Sequence, residues 1–263
     1  MSTQQRTVIV HYHIYKNSGT SFDHVLSHSF ADRHEAFDGP YPFFRINQTE
    51  LDRIIMAKPQ AVAFSSHQTL LPQPASMSYR ALAAVFVRHP ILRIGSIYRF
   101  KRQTFDGTKT SRAAIDMDFP EWLNHCFGDR AEITHISNSQ TRILGAVHGA
   151  MPLMQRKPMF MEYDLVTAMR NLRNVEFLGR TEYFDADVSR FVPIAEAYGI
   201  TLTLPGDLRQ NVTETASKSV EERLAALLDP LPTKLRERLV AANQQDLALY
   251  EYATQQIEQG ATL

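Results

Sequence analysis

Val8-Ile9-Val10-His11-Tyr12-His13-Ile14-Tyr15-Lys16-Asn17-Ser18-Gly19-Thr20-Ser21 is the stretch that decides the fold class. Its first seven residues are a β-branched and aromatic run, the composition of a buried strand. Tyr15 to Gly19 is a loop. From Thr20 to about Arg33, Phe22, Val25, Leu26 and Phe30 recur at helical spacing and mark one apolar face. Strand, short polar loop and helix make a βα unit. The first amides of a helix lack intrahelical carbonyls and the helix dipole adds positive potential, so this turn suits an anion. Lys16 adds a mobile cation, and Thr20 and Ser21 add hydroxyl donors. Taken alone, the loop is equally an ordinary βα turn, with Lys16 solvated and Thr20 capping a helix.

The alternation continues outward from this unit. Gln60 to Ser65 is a second strand ending at Ser66-His67, and Leu82 to Val87 is a third ending at Arg88. His89-Pro90 opens a helix to about Gln103, with Pro90 suited to its first turn. Val175 to Leu178 is a further strand. Helices are expected at Glu50–Ala57, Glu121–Phe127, Ser139–Gly145, Leu165–Leu172, Asp185–Tyr198, Val220–Leu228 and Thr233–Gln259. Phe105 to Phe119 is polar and irregular, the pattern of a loop or lid. Strands alternating with helices predict an α/β chain: a P-loop-like three-layer fold with a central, mostly parallel sheet flanked by helices. No repeat, low-complexity run or linker divides it, so residues 1–263 are expected to be a single domain.

Bulk properties narrow the function classes. Among 263 residues, 28 Lys and Arg balance 28 Asp and Glu, so net charge gives no reason to expect nucleic-acid or anionic-membrane partners. The single cysteine, Cys126, admits no intrachain disulfide, and Leu123 and Phe127 beside it mark a buried hydrophobe. Residues 1–7 lack an apolar signal region, and no run approaches the ~18 apolar residues of a membrane span, so the expected location is cytoplasmic. The loop is not a Walker A sequence, because Lys16 precedes Gly19 instead of following a second glycine; a P-loop kinase is disfavoured.

A second basic position complements the first. Arg88, at the carboxyl end of a parallel strand, points to the crevice where open α/β sheets bind ligands. Its guanidinium can fork onto a phosphate, with Ser96 adding a hydroxyl. The competing reading makes Arg88 a structural ion-pair partner and leaves Ser96 facing solvent. Together the two motifs point to a ligand with two separated phosphates.

His13-Ile14-Tyr15-Lys16-Asn17-Ser18-Gly19-Thr20-Ser21 resembles the H-x-P-K-T-G-G-T-S loop of sulfotransferases that use 3′-phosphoadenosine 5′-phosphosulfate (PAPS), most nearly carbohydrate sulfotransferases of the heparan 2-O type and their bacterial relatives. Arg88-His89-Pro90-Ile91-Leu92-Arg93 with Ser96 resembles the R-D-P-x-x-R…S segment of that family. Asn138 to Gly145 is similar to its N-x-Q-T-R-x-L-x-G, and Phe177 to Asp185 to its F-x-G-x-T-E-x-F-D. Asn211-Val212-Thr213 matches an N-x-S/T near the cofactor. Tyr15, Asn17, Ser18 and His89 replace the family's Pro, Thr, Gly and Asp. Ser18 matters most, because a non-glycine residue is strained if the loop needs φ > 0 there.

The resemblance implies PAPS as co-substrate, without a metal. It places Lys16 on the leaving 5′-phosphate side, with Asn17, Ser18, Gly19, Thr20 and Ser21 around that phosphate, and puts Arg88 and Ser96 at the 3′-phosphate. The acceptor hydroxyl needs a general base. His67 is the candidate, because related enzymes carry a G-H segment after the same strand; the alternative is a loop histidine satisfied by backbone bonds. His13 fits a supporting role, and His24, His28 and His34 fall on the solvated face of the first helix. His11 and His13 alternate on a strand, too little for a metal site. Glu182 is an alternative base, but a T-E pair after a strand fits a cofactor-side or helix-capping role better; Arg142 is either an acceptor-binding cation or a structural ion-pair partner, the second being favoured. The implied acceptor is a carbohydrate hydroxyl, on a small molecule or a lipid-linked sugar. The competing class is a non-catalytic nucleotide-binding adaptor that keeps the fold, motivated by Ser18 and His89.

Overall fold

The computed structural model describes residues 5–41, 44–146, 162–208 and 218–260. Strands β1 (Arg6–Tyr12), β2 (His34–Ala36), β3 (Ala63–Ser66), β4 (Tyr79–Val87) and β5 (Phe177–Arg180) form one sheet in the order β2-β3-β1-β4-β5. Every pairing is parallel, with Tyr12 opposite Ser66 and Val87 opposite Arg180. The chain builds β2 and β3 on one side of β1, then crosses to build β4 and β5 on the other. This reversal of winding puts a crevice beyond the carboxyl end of β1.

A parallel sheet must be covered on both faces. The first seven helices are α1 (Gly19–Phe30), α2 (Gln48–Ala57), α3 (Pro90–Gln103), α4 (Lys109–Asp116), α5 (Phe119–Gly128), α6 (Ile133–Ile136) and α7 (Ser139–Leu144). Then follow α8 (Leu165–Arg173), α9 (Phe184–Ala197), α10 (Val220–Leu228), α11 (Thr233–Ala241) and α12 (Gln244–Gly260). Side chains alternate along β1, so Val8, Val10 and Tyr12 pack with Leu51 and Ile55 of α2, Leu172 of α8 and Ile257 of α12. Ile9 faces the other way, into Phe22 and Leu26 of α1 and Phe191 of α9. A third cluster joins Ile91 and Ile94 of α3 to Trp122 of α5 and Leu239 of α11. Phe22 has no exposed surface, and its truncation to Ala costs about 3–5 kcal/mol. No described helix is long and apolar enough to cross a membrane.

Several elements depart from the sequence expectations. The first helix stops at Phe30, where Ala31 takes φ 50, and His34 lies in β2 instead of on that helix. Phe105 to Phe119 is not an irregular lid. It contains α4, whose N-cap Thr108 accepts from the Ser111 amide at 3.2 Å, and Ala113 and Ala114 pack into the third cluster. The expected helix from Thr233 to Gln259 breaks into α11 and α12 at Ala242-Asn243. β5 starts two residues later than expected, at Phe177.

Candidate active site

Each of the five strands delivers a polar side chain just past its carboxyl end: Asp38 after β2, His67 after β3, Lys16 after β1, Arg88 after β4 and Glu182 after β5. The loop after β1 is shaped by cations beneath it. Arg93 of α3 donates through Nε to the Tyr15 carbonyl at 3.0 Å, and Arg88 donates through Nη1 to the Lys16 carbonyl at 3.0 Å. Lys16 (φ 65) and Ser18 (φ 59) are left-handed and Asn17 between them is not. Alternation of hand turns successive amides into a concavity that suits an anion. The Asn17 amide is itself used, donating to the Ile14 carbonyl at 3.1 Å, so Asn17 shapes the loop. Gly19 opens α1, and a Cβ there would lie 1.9 Å from the His13 ring, so this position admits only glycine.

Lys16 Nζ rests 4.3 Å from the centre of the Phe100 ring of α3. Burial, then the charges of Arg88 and Arg99, push the Lys16 ammonium down to about 8. Three cations therefore converge at one place, a field that invites an anion. Arg88 is mostly buried, and its Nε lies 3.6 Å from Glu182 Oε1. Burial raises the Glu182 carboxyl above its ordinary range, countered chiefly by Arg88. Glu182 also accepts from Tyr250 Oη at 3.0 Å and from the His89 amide at 3.4 Å.

One amide ties the two loops together. Gln140 of α7 accepts at Oε1 from Asn17 Nδ2 at 2.7 Å and from the Arg88 amide at 2.9 Å, and donates from Nε2 to the Arg88 carbonyl at 2.8 Å. Asp246 of α12 caps α7 by accepting from the Gln140 and Thr141 amides, and Asn138 reciprocally accepts from the Gln245 and Asp246 amides.

On the other side of β1 lies a group of histidines. His11 Nδ1 and His13 Nδ1 face the two oxygens of Asp23, on α1, at 2.7 and 3.1 Å. Ligand atoms of these three residues all lie within 4.8 Å of one another, the closeness a metal site needs. Each ring nitrogen nevertheless faces its own carboxylate oxygen, which is hydrogen-bond geometry. Burial alone would raise the Asp23 carboxyl, but the two imidazoles outweigh it and hold it far below the usual range. The His67 ring stacks on His13 with centroids 3.8 Å apart, and its Nδ1 lies 3.3 Å from Asp38 Oδ2. His13, Asp23, Asp38 and His67 line a cavity of about 240 Å³ with Phe37 on its wall.

The family model described as "Sulfotransferase family" matches residues 1–253. The chain belongs to the sulfotransferase family. It is also 26% identical over 261 residues, 97% of its length and 99% of the relative's, to an uncharacterized protein of Archaeoglobus fulgidus.

Within this sulfotransferase, Lys16, Ser18 and Gly19 share one loop with Arg88 against it. Thr20 is exposed in the first turn of α1 and Ser21 is buried beside it. Ser96 is buried in α3, and no hydrogen bond joins it to Lys16 or Arg88 among the described residues. His67 follows β3 and stacks on His13, whereas Arg88 follows β4, on the opposite side of β1. Arg142 donates to the Ser137 carbonyl at 3.1 Å and stacks over Tyr163. Asn211-Val212-Thr213 lies outside the described residues. Sequence reasoning missed Asp23, Asp38, Phe100 and the bridging role of Gln140. The N-x-Q-T-R resemblance marked Gln140's position, but its bonding partners are remote in the chain.

Proposed function

We propose that this sulfotransferase takes its sulfuryl group from PAPS and passes it to a hydroxyl of a carbohydrate or a glycosylated or lipid-linked small molecule. The observation that carries the reading is the 3.0 Å bond from Arg88 to the Lys16 carbonyl, which makes the two anion-binding loops neighbours. The left-handed turns at Lys16 and Ser18 form a cradle suited to a phosphate, and the converging cations fit a doubly phosphorylated adenosine. Lys16 and the amides around Gly19 would hold the 5′-phosphate, with Arg88, and Ser96 from α3, on the 3′-phosphate.

In this reading the acceptor oxygen attacks sulfur in line. The acceptor O–H bond breaks, the new O–S bond forms, and the S–O bond to the 5′-phosphate breaks. The proton passes to His67, and adenosine 3′,5′-bisphosphate departs with its charge balanced by Lys16. Positioning and fixed charge supply most of such catalysis. Burial, followed by His13, lowers the His67 pKa, so the ring is neutral and able to accept a proton at neutral pH. The cavity at His67 is smaller than the ~300–1,000 Å³ of sites that enclose drug-sized ligands, so it suits one ring or chain end of the acceptor.

Thermal stabilisation by adenosine 3′,5′-bisphosphate and not by ATP, with transfer of label from sulfur-labelled PAPS to simple glycosides, is the expected result. His67→Ala is expected to keep nucleotide binding and lose transfer. A chain that binds the bisphosphate but transfers no sulfate to any acceptor would favour the adaptor instead.

A further inference from the structure

Asp38 contacts the candidate base twice and the residue before it once. Its Oδ1 accepts from the His67 amide at 3.0 Å and from Ser66 Oγ at 2.9 Å, and its Oδ2 faces His67 Nδ1 at 3.3 Å. Ser66 Oγ in turn accepts from the Gln68 amide at 3.0 Å, so one carboxylate and one hydroxyl fix the peptide after β3. The ring is held from its face as well, by the stack on His13, and His13 is pinned by Asp23. Two imidazoles therefore lie face to face, each with its own carboxylate.

We propose that Asp38 is the positioning residue of the proton-transfer step, holding His67 in the tautomer that carries hydrogen on Nδ1 so that Nε2 takes the acceptor's proton. The proposal rests on the reading of His67 as general base. An ionised carboxylate can only accept, so the ring nitrogen facing it must donate. The lone pair is then left on Nε2. When the acceptor proton arrives there, Asp38 faces the new positive charge at Nδ1. Beyond the O–H, O–S and S–O changes of the transfer itself, no bond is made or broken.

The charged neighbours define how this unit titrates. His67 faces Asp38 from the segment after β2, His13 from the segment after β1 and, behind His13, Asp23 of α1; Arg45 lies within electrostatic reach of Asp38. Two stacked imidazolium ions would repel, so one ring of the pair carries charge at a time. Burial disfavours it on His13, whose side chain is 9% exposed, against 48% for His67. Burial and His13 lower the His67 pKa, whereas Asp38 and Asp23 raise it.

Imidazole nitrogen NMR of the full chain, with Asp38→Asn beside it, tests the proposal without an acceptor. The native chain is expected to show His67 with hydrogen on Nδ1. In Asp38→Asn the amide keeps an oxygen for the His67 and Ser66 donors but turns a donor toward Nδ1. The hydrogen is expected to move to Nε2 and the titration midpoint of His67 to fall. Turnover with sulfur-labelled PAPS and simple glycosides should drop on the order of 10²–10⁴-fold, with unchanged affinity for adenosine 3′,5′-bisphosphate. Hydrogen on Nε2 in the native spectrum overturns the proposal even if the variant does not fold. So does an Asp38→Asn chain with native tautomer and midpoint, whatever its turnover. Transfer surviving in His67→Ala removes the parent reading of the base, and this proposal with it. An inactive His67→Ala beside a fully active Asp38→Asn removes this proposal alone.

Discussion

Ser18 holds φ 59 at the N-cap of α1, where its side chain makes no capping bond. A non-glycine residue in this region costs about 1–2 kcal/mol, and a glycine gives back about 0.4–1 kcal/mol through unfolded-state entropy. Ser18→Gly is therefore expected to stabilise the chain by about 0.5–1 kcal/mol, a rise of roughly 1–3 °C in melting temperature by calorimetry. Lys16 sets a pH dependence. Its ammonium is already charged below about 8 and loses its proton as pH rises through that value, while a bound phosphate favours the charged form. Affinity for adenosine 3′,5′-bisphosphate, followed by titration calorimetry, should be flat just below pH 8 and weaken above it by up to about tenfold per pH unit. Lys16 and Arg88 were legible because a lone basic residue at a strand end is visible in the sequence itself. Asp23 and Asp38 were not, since a carboxylate acquires its role from imidazoles that only folding brings near.

At the scale of elements, the site depends on α7, a six-residue helix. It reaches the loops because Asp246 caps its start while Asn138 caps the start of α12. Gln140→Ala leaves the Arg88 amide and carbonyl and one hydrogen of Asn17 Nδ2 buried without these partners. The expected loss is about 2–4 kcal/mol, or roughly 5–10 °C in melting temperature, with weaker nucleotide binding. A melting temperature within a degree of the native chain would show that the bridge contributes nothing. The same scale explains which elements the sequence disclosed. β1, β4 and α3 are long runs with clear periodicity or a proline at the helix start. β2 is three residues, His34-Glu35-Ala36, too short to show alternation and paired only through β3. α4 is polar on its outer face, and a window rich in Lys, Thr and Ser looked like a loop until Ala113 and Ala114 found the α3 and α5 side chains to pack against.

Over the whole molecule, function follows from how the sheet is wound. Reversal at β1 brings the β3 and β4 ends to either side of the Lys16 loop, with Asp38 and Glu182 one strand further out. The alternation of strands and helices made that architecture readable. Strand order was not readable, because it is settled by which strand edges remain open when each helix packs. The resulting site is divided: cations gather at the β1 and β4 ends, and on the other side His67 and Asp38 from the β3 and β2 ends meet His13 from the end of β1. Such a division suits a donor that is anionic and an acceptor that must lose a proton.

Titration calorimetry of adenosine 3′,5′-bisphosphate against adenosine 5′-monophosphate, on the native chain and on Arg88→Ala, reads this arrangement directly. The native chain should prefer the bisphosphate, and Arg88→Ala should reduce that preference by roughly 10–100-fold, the worth of charged hydrogen bonds. An undiminished preference in Arg88→Ala, or no preference in the native chain, would contradict a shared cleft in which Lys16 and Arg88 each hold one phosphate.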